Sequence, residues 1–502
     1  MDKGRKGRIQ KSVISSLSLQ MVTLICGLIV PRYLLNTYGS EAYGATTSIT
    51  QFLSYITLLE GGIGGVARAV LYKPLAENDT EKISAIVYEL KHFFRILAYI
   101  SIVYALALAC AFKTISHIVC YDWFGSFLLV IAIAVSVFGE YFIGMTYSVL
   151  IQADQHVYIS NSLSILTTIL NTIMVVFLIH LGSGLIFVKL VSSLVFLIKP
   201  TVMWFYVEKH YGLVKGIERD RKALEQKWTG LGQHLAYYIH SNTDVAVLTF
   251  LVNLETVSVY YVYNMITSNI QKVISSLCSG MEPLFGDMIA KGEKQHLSDA
   301  LSLYETMTSM ACSTFFSTVY VMIVPFIRLY TRGVEDINYI QPVFAVLITT
   351  AFVLDCLRSP FQSVIMAAGH FKQTRFGAYG EAAINIILSI FLVWKAGLVG
   401  VAIGTIAASG FRFIYSVVYL SHNILLREFS VFLKRLLINI TCIVSICLIC
   451  HYFISRIDID NYLRWILCSA CVFAVSTLFT LLFNGLFYRS FVRMVINKVY
   501  KK

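Results

Sequence analysis

Charge is scarce in this chain and proline scarcer, with 14% of its 502 residues charged and 7 prolines in all. A soluble domain is about one-quarter charged and about half apolar, whereas 57% of this chain is apolar and its mean hydropathy is +0.72. That balance excludes an ordinary soluble fold, because most of the chain has no use for water. There is no GxxxxGK[ST] stretch, so the chain has no P-loop of its own with which to draw on ATP. The net charge of +12 would suggest nucleic acid in a soluble protein. Here no polar stretch interleaves basic residues with aromatics, and nucleic acid is excluded as a partner.

What the chain does have is long apolar runs. A membrane-crossing helix takes about 20 residues, so the apolar residues suffice for about fourteen crossings. Apolar spans fall at 12–34, 45–70, 93–115, 124–150, 158–181 and 183–206. Six more fall at 231–253, 256–281, 303–327, 341–366, 375–396 and 398–420, and a last pair at 433–455 and 463–488. The first span follows a basic start, as a signal peptide would. Its apolar core is too long for one and shows no small-residue cleavage site, so it is expected to be a transmembrane helix ended by Pro31 and Arg32.

Placing both termini and the alternate loops inside puts twenty-seven of the 40 Lys and Arg on the cytoplasmic side and seven outside. This is the bias that orients membrane proteins. Exterior connections are all short, which leaves no exterior domain. The expected class is an all-α polytopic membrane protein of 14 transmembrane helices, with both termini cytoplasmic. Residues 1–207 form an N-terminal lobe of six helices, 208–230 a cytoplasmic linker, and 231–425 a C-terminal lobe of six. Residues 426–502 hold two more helices and a basic tail.

An internal repeat supports two lobes. A shift of 214 residues carries Ile151 onto Ile365, Ala153 onto Ala367, His156 onto His370, Asn171 onto Asn385 and Phe177 onto Phe391. After a one-residue gap, Gly184, Leu185 and Val188 meet Gly397, Leu398 and Val401. Six helices separate the paired elements, an even number, which predicts a parallel pseudo-two-fold repeat about the membrane normal.

Polar residues within the spans carry the chemistry. At 100° per residue, Gln233, Tyr237, His240 and Asp244 share one face of the seventh span, and Tyr260, Asn264, Thr267, Gln271 and Ser275 one face of the eighth, with Lys272 at its flank. Ser16, Gln20, Thr23 and Gly27 line up on the first span. Thr50, Ser54, Thr57, Gly61, Gly64 and Arg68 do so on the second, flanked by Glu60. Stripes of Ser, Thr and Gly also let helices pack closely, and for the first span both readings stand. Charges are harder to explain by packing, since one at the helix centre costs about 2.5–3.5 kcal/mol on insertion scales. The remaining deep charges are Glu140, Lys189, Asp355, Arg358, Glu381 and Arg412. Asp355 and Arg358, three residues apart, are expected to form a structural ion pair. Glu140, Glu381, Lys189 and Arg412 are expected to pair within their lobes.

Two motifs are set aside. Cys447, Cys450, Cys468 and Cys471 have zinc-site spacing, but all lie in apolar spans, where cysteine behaves as a small hydrophobe. The run Gly61, Gly62, Gly64 and Gly65 follows no strand and is expected to be a helix end or hinge rather than a nucleotide loop. His156 and His370 are expected to be turn or interface residues at equivalent turns.

The basic start, the first span ending in VPRYLL, the stretch YGSEAYG at Tyr38–Gly44, and the insert ahead of a seventh span with an embedded aspartate together resemble bacterial oligosaccharide flippases. These form the polysaccharide transporter branch of the multidrug/oligosaccharidyl-lipid/polysaccharide exporter superfamily. The resemblance covers the whole chain, including two helices beyond twice six. It implies a non-enzymatic transporter of the bacterial inner membrane that carries O-antigen or exopolysaccharide repeat units on undecaprenyl pyrophosphate, with the first, second, seventh and eighth helices lining a cavity. On that reading Arg32, Arg68 and Lys272 hold the pyrophosphate. Gln20, Gln51, Gln233, Tyr237, Tyr260, Asn264 and Gln271 line the cavity for sugars, and Glu60, His240 and Asp244 couple transport to H+ or Na+. No resident cofactor is implied, and the membrane potential is a further driving force. The partners are the lipid-linked oligosaccharide, membrane lipid and polysaccharide assembly proteins. The rival readings are a lipid II flippase, a multidrug or cation antiporter of the same superfamily, and a membrane glycan polymerase or ligase. The last would need a large exterior loop that this chain lacks.

Overall fold

The computed structural model describes residues 3–60, 63–214, 216–220, 224, 231–277, 281–425 and 427–487, with backbone alone at 3–9, 231–237, 239–241, 277 and 487. All regular structure among these residues is helical. In chain order the first helices are α1 (Lys3–Ser54), α2 (Thr57–Glu60), α3 (Ile63–Glu77), α4 (Thr80–Ser116) and α5 (Trp123–Gly139). A π-helical turn, Glu140–Gly144, joins α5 to α6 (Met145–Ala153), followed by α7 (Val157–His180), α8 (Leu185–Phe196) and α9 (Ile198–His210). Beyond the insert come α10 (Leu231–Leu251), α11 (Leu254–Leu277), α12 (Met281–Ala290), α13 (Lys294–Tyr330) and α14 (Pro342–Ala367). The last are α15 (Arg375–Asn423), α16 (Phe429–Ile454) and α17 (Tyr462–Phe487).

Among the described residues, ten helical segments are long and apolar enough to cross a membrane. Two of these contain a fold-back point, because α1 passes through Gly39 with φ 82° and α15 through Gly397 with φ 52°. A residue with a Cβ is strained at such angles, and glycine is not. Dividing both helices at these points, and adding α10 and α11, gives the fourteen crossings read from the sequence. Pro31 does not end the first of them. It lies inside α1, where lipid tolerates it because neighbouring groups and local adjustment satisfy the freed carbonyl. The turn comes instead at Gly39. Gly61 and Gly62 of the glycine run fall outside the described residues, and Gly64 and Gly65 lie in the first turn of α3.

The chain divides into two compact units, Met1–Tyr238 with Val252–Ser258, and Ile239–Leu251 with Val259–Lys502. In the first, α1 packs on α7, α4 on α5, and α5 on α8. Its core gathers Ile63, Ile86, Leu90, Phe94, Leu150, Met203 and Val207. The stretch after α9 lies on this unit. The Val214 amide donates to Ser84 Oγ at 3.0 Å, and Leu224 is buried in the same core. In the second unit α13 packs against α14, α16 and α17, and α14 against α15. Cys442 and Cys450 sit in an apolar cluster there with Val321, Met322, Ile446 and Val472, and Cys468 packs on its edge.

The 214-residue repeat recurs in the backbone. Helices α4 (Thr80–Ser116) and α13 (Lys294–Tyr330) start and end at positions related by that shift. At the end of α6 the amide of His156 donates to the Ile151 carbonyl at 3.0 Å, and Gln155 has φ 61°. At the end of α14 the amide of His370 donates to the Ile365 carbonyl at 3.2 Å, and Gly369 has φ 71°. Both are helix ends closed by a left-handed residue and a six-residue hydrogen-bonded ring. The pair Asn78–Asp79 and Gly292–Glu293 repeats the pattern, each second residue donating five positions back. The two histidines serve their turns in different ways. His156 Nδ1 lies 2.8 Å from Asp154 Oδ2, whereas His370 Nδ1 pairs with the Tyr419 hydroxyl at 2.9 Å.

Candidate functional site

Removing helices from water gives no reason for them to attach to one another in lipid, so packing and polar contacts must hold them. A carboxylate in such a place needs donors, and the second unit handles two carboxylates in two ways. Glu381, 4% exposed on α15, takes Arg358 Nη1 at 2.6 Å and Arg412 Nε at 3.6 Å, and Arg358 also reaches Asp355 at 3.5 Å. Two guanidinium groups thus neutralise two carboxylates and tie α14 to both halves of α15. Glu305 on α13 is treated alike, between Arg427 at 2.9 Å and Arg435. None of these three residues stood out in the sequence.

Asp244, 3% exposed on α10, is different. Its Oδ2 accepts from the Tyr260 hydroxyl at 3.0 Å and the Thr405 hydroxyl at 2.8 Å, and its Oδ1 from Asn385 Nδ2 at 3.3 Å. These three donors are neutral and come from α11 and from the two halves of α15. Asn385 is fully buried, and its Oδ1 has no hydrogen-bond partner. An unpartnered amide oxygen thus belongs to the same cluster as a carboxylate, and both are hydrogen-bond acceptors. Asp244 and Tyr260 stood out in the sequence, and Asn385 did so only as a repeat partner of Asn171. Thr405 was missed, since a threonine in a membrane helix is too ordinary to notice.

In the first unit, Arg68 Nη1 donates to Gln152 Oε1 at 2.9 Å, and Gln152 Nε2 to Ser148 Oγ at 3.0 Å. Glu60 is half-buried. A methyl group on Gly64 would lie 3.7 Å from Arg68 Nη1 and 3.9 Å from Glu60 Oε1, so both groups flank that glycine. Glu140, which opens the π-helical turn, is 3.9 Å from Lys199. The expected intralobe pairing holds for Glu381 with Arg412, but the partner of Glu140 is Lys199, not Lys189. Lys189 has no ion-pair partner among the described residues.

The other expected residues are placed as follows. Arg32 is half-buried on α1, whereas Lys272 is exposed on α11 in the other unit. Gln20 and Gln51 are half-buried on α1, and Gln51 Nε2 donates to Ser54 Oγ at 3.3 Å. Asn264 and Gln271 are half-buried on α11, and Tyr260 is buried with its hydroxyl on Asp244. Gln233, Tyr237 and His240 lie on α10, where their side chains are outside the description. Tyr238 is described and was missed: in the first unit its hydroxyl pairs with that of Ser54, and its ring lies 5.6 Å from that of Tyr55.

The YGSEAYG stretch is structural. Gly39 makes the turn, the Tyr38 hydroxyl donates to the Ser183 carbonyl at 2.5 Å, and the Glu41 carboxylate accepts the amides of Val119 and Cys120. Gly44 lies so close to the Leu254 carbonyl, in the same unit, that a Cβ would come within 1.8 Å of it.

Neither a family profile nor a curated protein sequence matches this chain. Solved structures do. A lipid II flippase, MurJ, in an inward closed conformation superposes with a TM-score of 0.69 at 16% identity, covering 96% of this chain and 99% of its own. An inward-facing multidrug resistance MATE family transporter of the MOP superfamily gives 0.64 at 15% identity, over 82% of this chain and 98% of its own. A MOP superfamily transporter from Pyrococcus furiosus Vc1, described as having a binding pocket of reversed polarity, gives 0.59 at 12% identity over 84% and 96%. The fold is therefore that of MOP-superfamily transporters, and the chain is a multi-pass membrane protein.

Proposed function

We propose that this chain is a flippase that moves undecaprenyl-pyrophosphate-linked oligosaccharide repeat units from the cytoplasmic to the outer face of a bacterial inner membrane, by alternating access, for surface polysaccharide synthesis. The observation that carries the reading is the extent of the structural likeness. The lipid II flippase is matched over 96% of this chain and the MATE transporters over 82–84%. That margin is comparable to the stretch from Phe429 onward, which holds α16 and α17. A carrier of lipid-linked sugar is favoured over a multidrug or cation antiporter on this ground. The repeat unit is preferred as cargo because of the VPRYLL and YGSEAYG resemblance. The specific likeness to MurJ supports lipid II as the second reading.

In this proposal both termini are cytoplasmic, as the loop charges favour. Arg32, Arg68 and Lys272 meet the pyrophosphate, whose outward passage down a negative-inside potential is worth about 2.3 kcal/mol per charge per 100 mV. Gln20, Gln51, Gln233, Tyr237, Asn264 and Gln271 serve the sugar, and Glu60 and His240 assist coupling. Asp244 is the main coupling group, taking up H+ or Na+ with the Asn385 amide oxygen beside it. Tyr260 joins that pocket rather than the sugar surface, because its hydroxyl is committed to the carboxylate. Polysaccharide polymerase and assembly proteins would receive the product.

Reconstitution of the purified chain in vesicles decides the matter. Protected entry of a fluorescent undecaprenyl-pyrophosphate oligosaccharide is expected, at a rate that rises with an imposed Na+ or proton gradient. Movement of lipid II alone would favour the second reading, and movement of neither lipid would overturn both.

A further inference from the structure

A pocket of about 370 Å³ lies against the third to fifth turns of α4, lined by Tyr88, Lys91, His92 and Arg95, and closed on one side by Gly216, Ile217 and Arg219 of the stretch after α9. It lies wholly in the first unit. None of the residues assigned above to pyrophosphate, sugar or ion lines it. The closing segment is fixed at both ends, since the Val214 amide donates to Ser84 Oγ at 3.0 Å and the Asp220 amide to the Ala85 carbonyl at 3.4 Å. Arg219 is held only loosely, 4.0 Å from Glu89. Lys91 reaches the Tyr147 hydroxyl at 3.5 Å, and Arg95 lies over the Phe142 ring at 5.4 Å. Neither has an ion-pair partner among the described residues. Three basic side chains thus converge on a pocket lined, among the described residues, by no carboxylate, with Glu89 behind Arg219 and Glu208 near Lys91 as the neighbouring acids, a setting that calls for an anion with several oxygens.

The helix itself indicates where that anion comes from. Continuing from His92 at spacings of four, three and four residues are Ile96, Tyr99 and Val103, 45%, 58% and 69% exposed. They form an apolar stripe on the face that begins at the pocket. An acyl chain laid on that stripe brings its headgroup to Arg95 and Lys91, and basic pockets at the ends of membrane helices hold anionic headgroups in this manner. We infer that the pocket formed by α4 and residues 216–219 is a binding site for the phosphate headgroup of an anionic phospholipid, separate from the transported cargo. A headgroup there would bridge α4 and the stretch that follows α9.

Native mass spectrometry of the full chain tests this without any substitution. The probes are phosphatidylglycerol, phosphatidylcholine and inorganic phosphate. Phosphatidylglycerol is expected to be retained at least tenfold better than phosphatidylcholine, and the double variant Lys91→Gln, Arg95→Gln to lose that preference. Lys73→Gln, which removes an exposed cation on the neighbouring helix, is expected to keep it. Arg95→Lys, which preserves the charge, provides a folded variant if the double one is unstable, and it should retain most of the preference. Equal retention of the two lipids by the unaltered chain overturns the inference. So does a preference that survives in the double variant. Binding of inorganic phosphate with no lipid preference also overturns it and assigns the pocket to a soluble anion.

Discussion

The two halves share their turns at a spacing of 214 residues and differ in the chemistry set on them. Asn171 and Asn385 are repeat partners, both buried, and in each the amide oxygen lacks a hydrogen-bond partner. Around Asn385 stand Asp244, Tyr260 and Thr405, whereas the shift places Val30 and Thr46, and after the one-residue gap Ser192, at the matching positions of the first half. Only the second half has a carboxylate there. The deep cations show the opposite behaviour. Lys199 and Arg412 are repeat partners and each meets a glutamate, but Glu140 comes from the π-helical turn and Glu381 from α15. A repeated backbone therefore preserves where a polar group can stand, and the two halves have used those places separately.

That difference can be broken by substitution. The largest effect is expected from Glu381→Ala, which leaves the buried Arg412 without its carboxylate and Arg358 with Asp355 alone. Removing one member of such a buried ion cluster costs about 3–5 kcal/mol, to be read as a lower thermal midpoint of the purified protein. A midpoint unchanged from the parent would mean that the cluster is not structural. Asp244→Asn is next. It keeps the shape of the pocket and removes its charge, so folding should survive while gradient-driven translocation falls about 100-fold, or about 2.7 kcal/mol. Translocation at the parent rate would remove Asp244 from coupling. Thr405→Val deletes one neutral donor to the same carboxylate, and because that donor stabilises the ion-free charged form, a gain of about 1–2 kcal/mol in ion affinity is expected, visible as a leftward shift in the ion dependence of transport. The matching Ser192→Ala in the first half should leave that curve where it was. If both variants shifted it equally, the two halves would be functionally alike. The smallest effect is assigned to Gly39→Ala, where the positive φ adds strain of about 1–2 kcal/mol. A melting midpoint equal to the parent's would show that the turn relaxes.

Much of the fold was legible in order and period. Apolar spans, loop charge and the aligned pairs around His156 and His370 were enough for fourteen crossings and a repeat, because each depends on local sequence or on a fixed offset. The end of the first helix was misread at Pro31, since the rule that proline stops a helix comes from water and not from lipid. The site was legible in part. Asp244 announced itself by the cost of a buried charge, and Tyr260 by sharing a polar face. Thr405, Tyr238 and Glu305 did not, because serine, threonine and tyrosine are common in membrane helices and Glu305 lies near the edge of its span.

Lipid as the solvent, the number of crossings, the offset between the halves and the residues too polar to face hydrocarbon follow from the amino-acid sequence alone. These are properties of single segments or of segments compared at one spacing. Which donor meets which carboxylate was decided by tertiary structure. Glu381 became an ion cluster and Asp244 a pocket of neutral donors because helices distant in sequence brought arginines to one and Tyr260, Asn385 and Thr405 to the other. Hydrogen bonds and ion pairs act over about 3–4 Å, and no periodicity along a chain specifies such distances between helices.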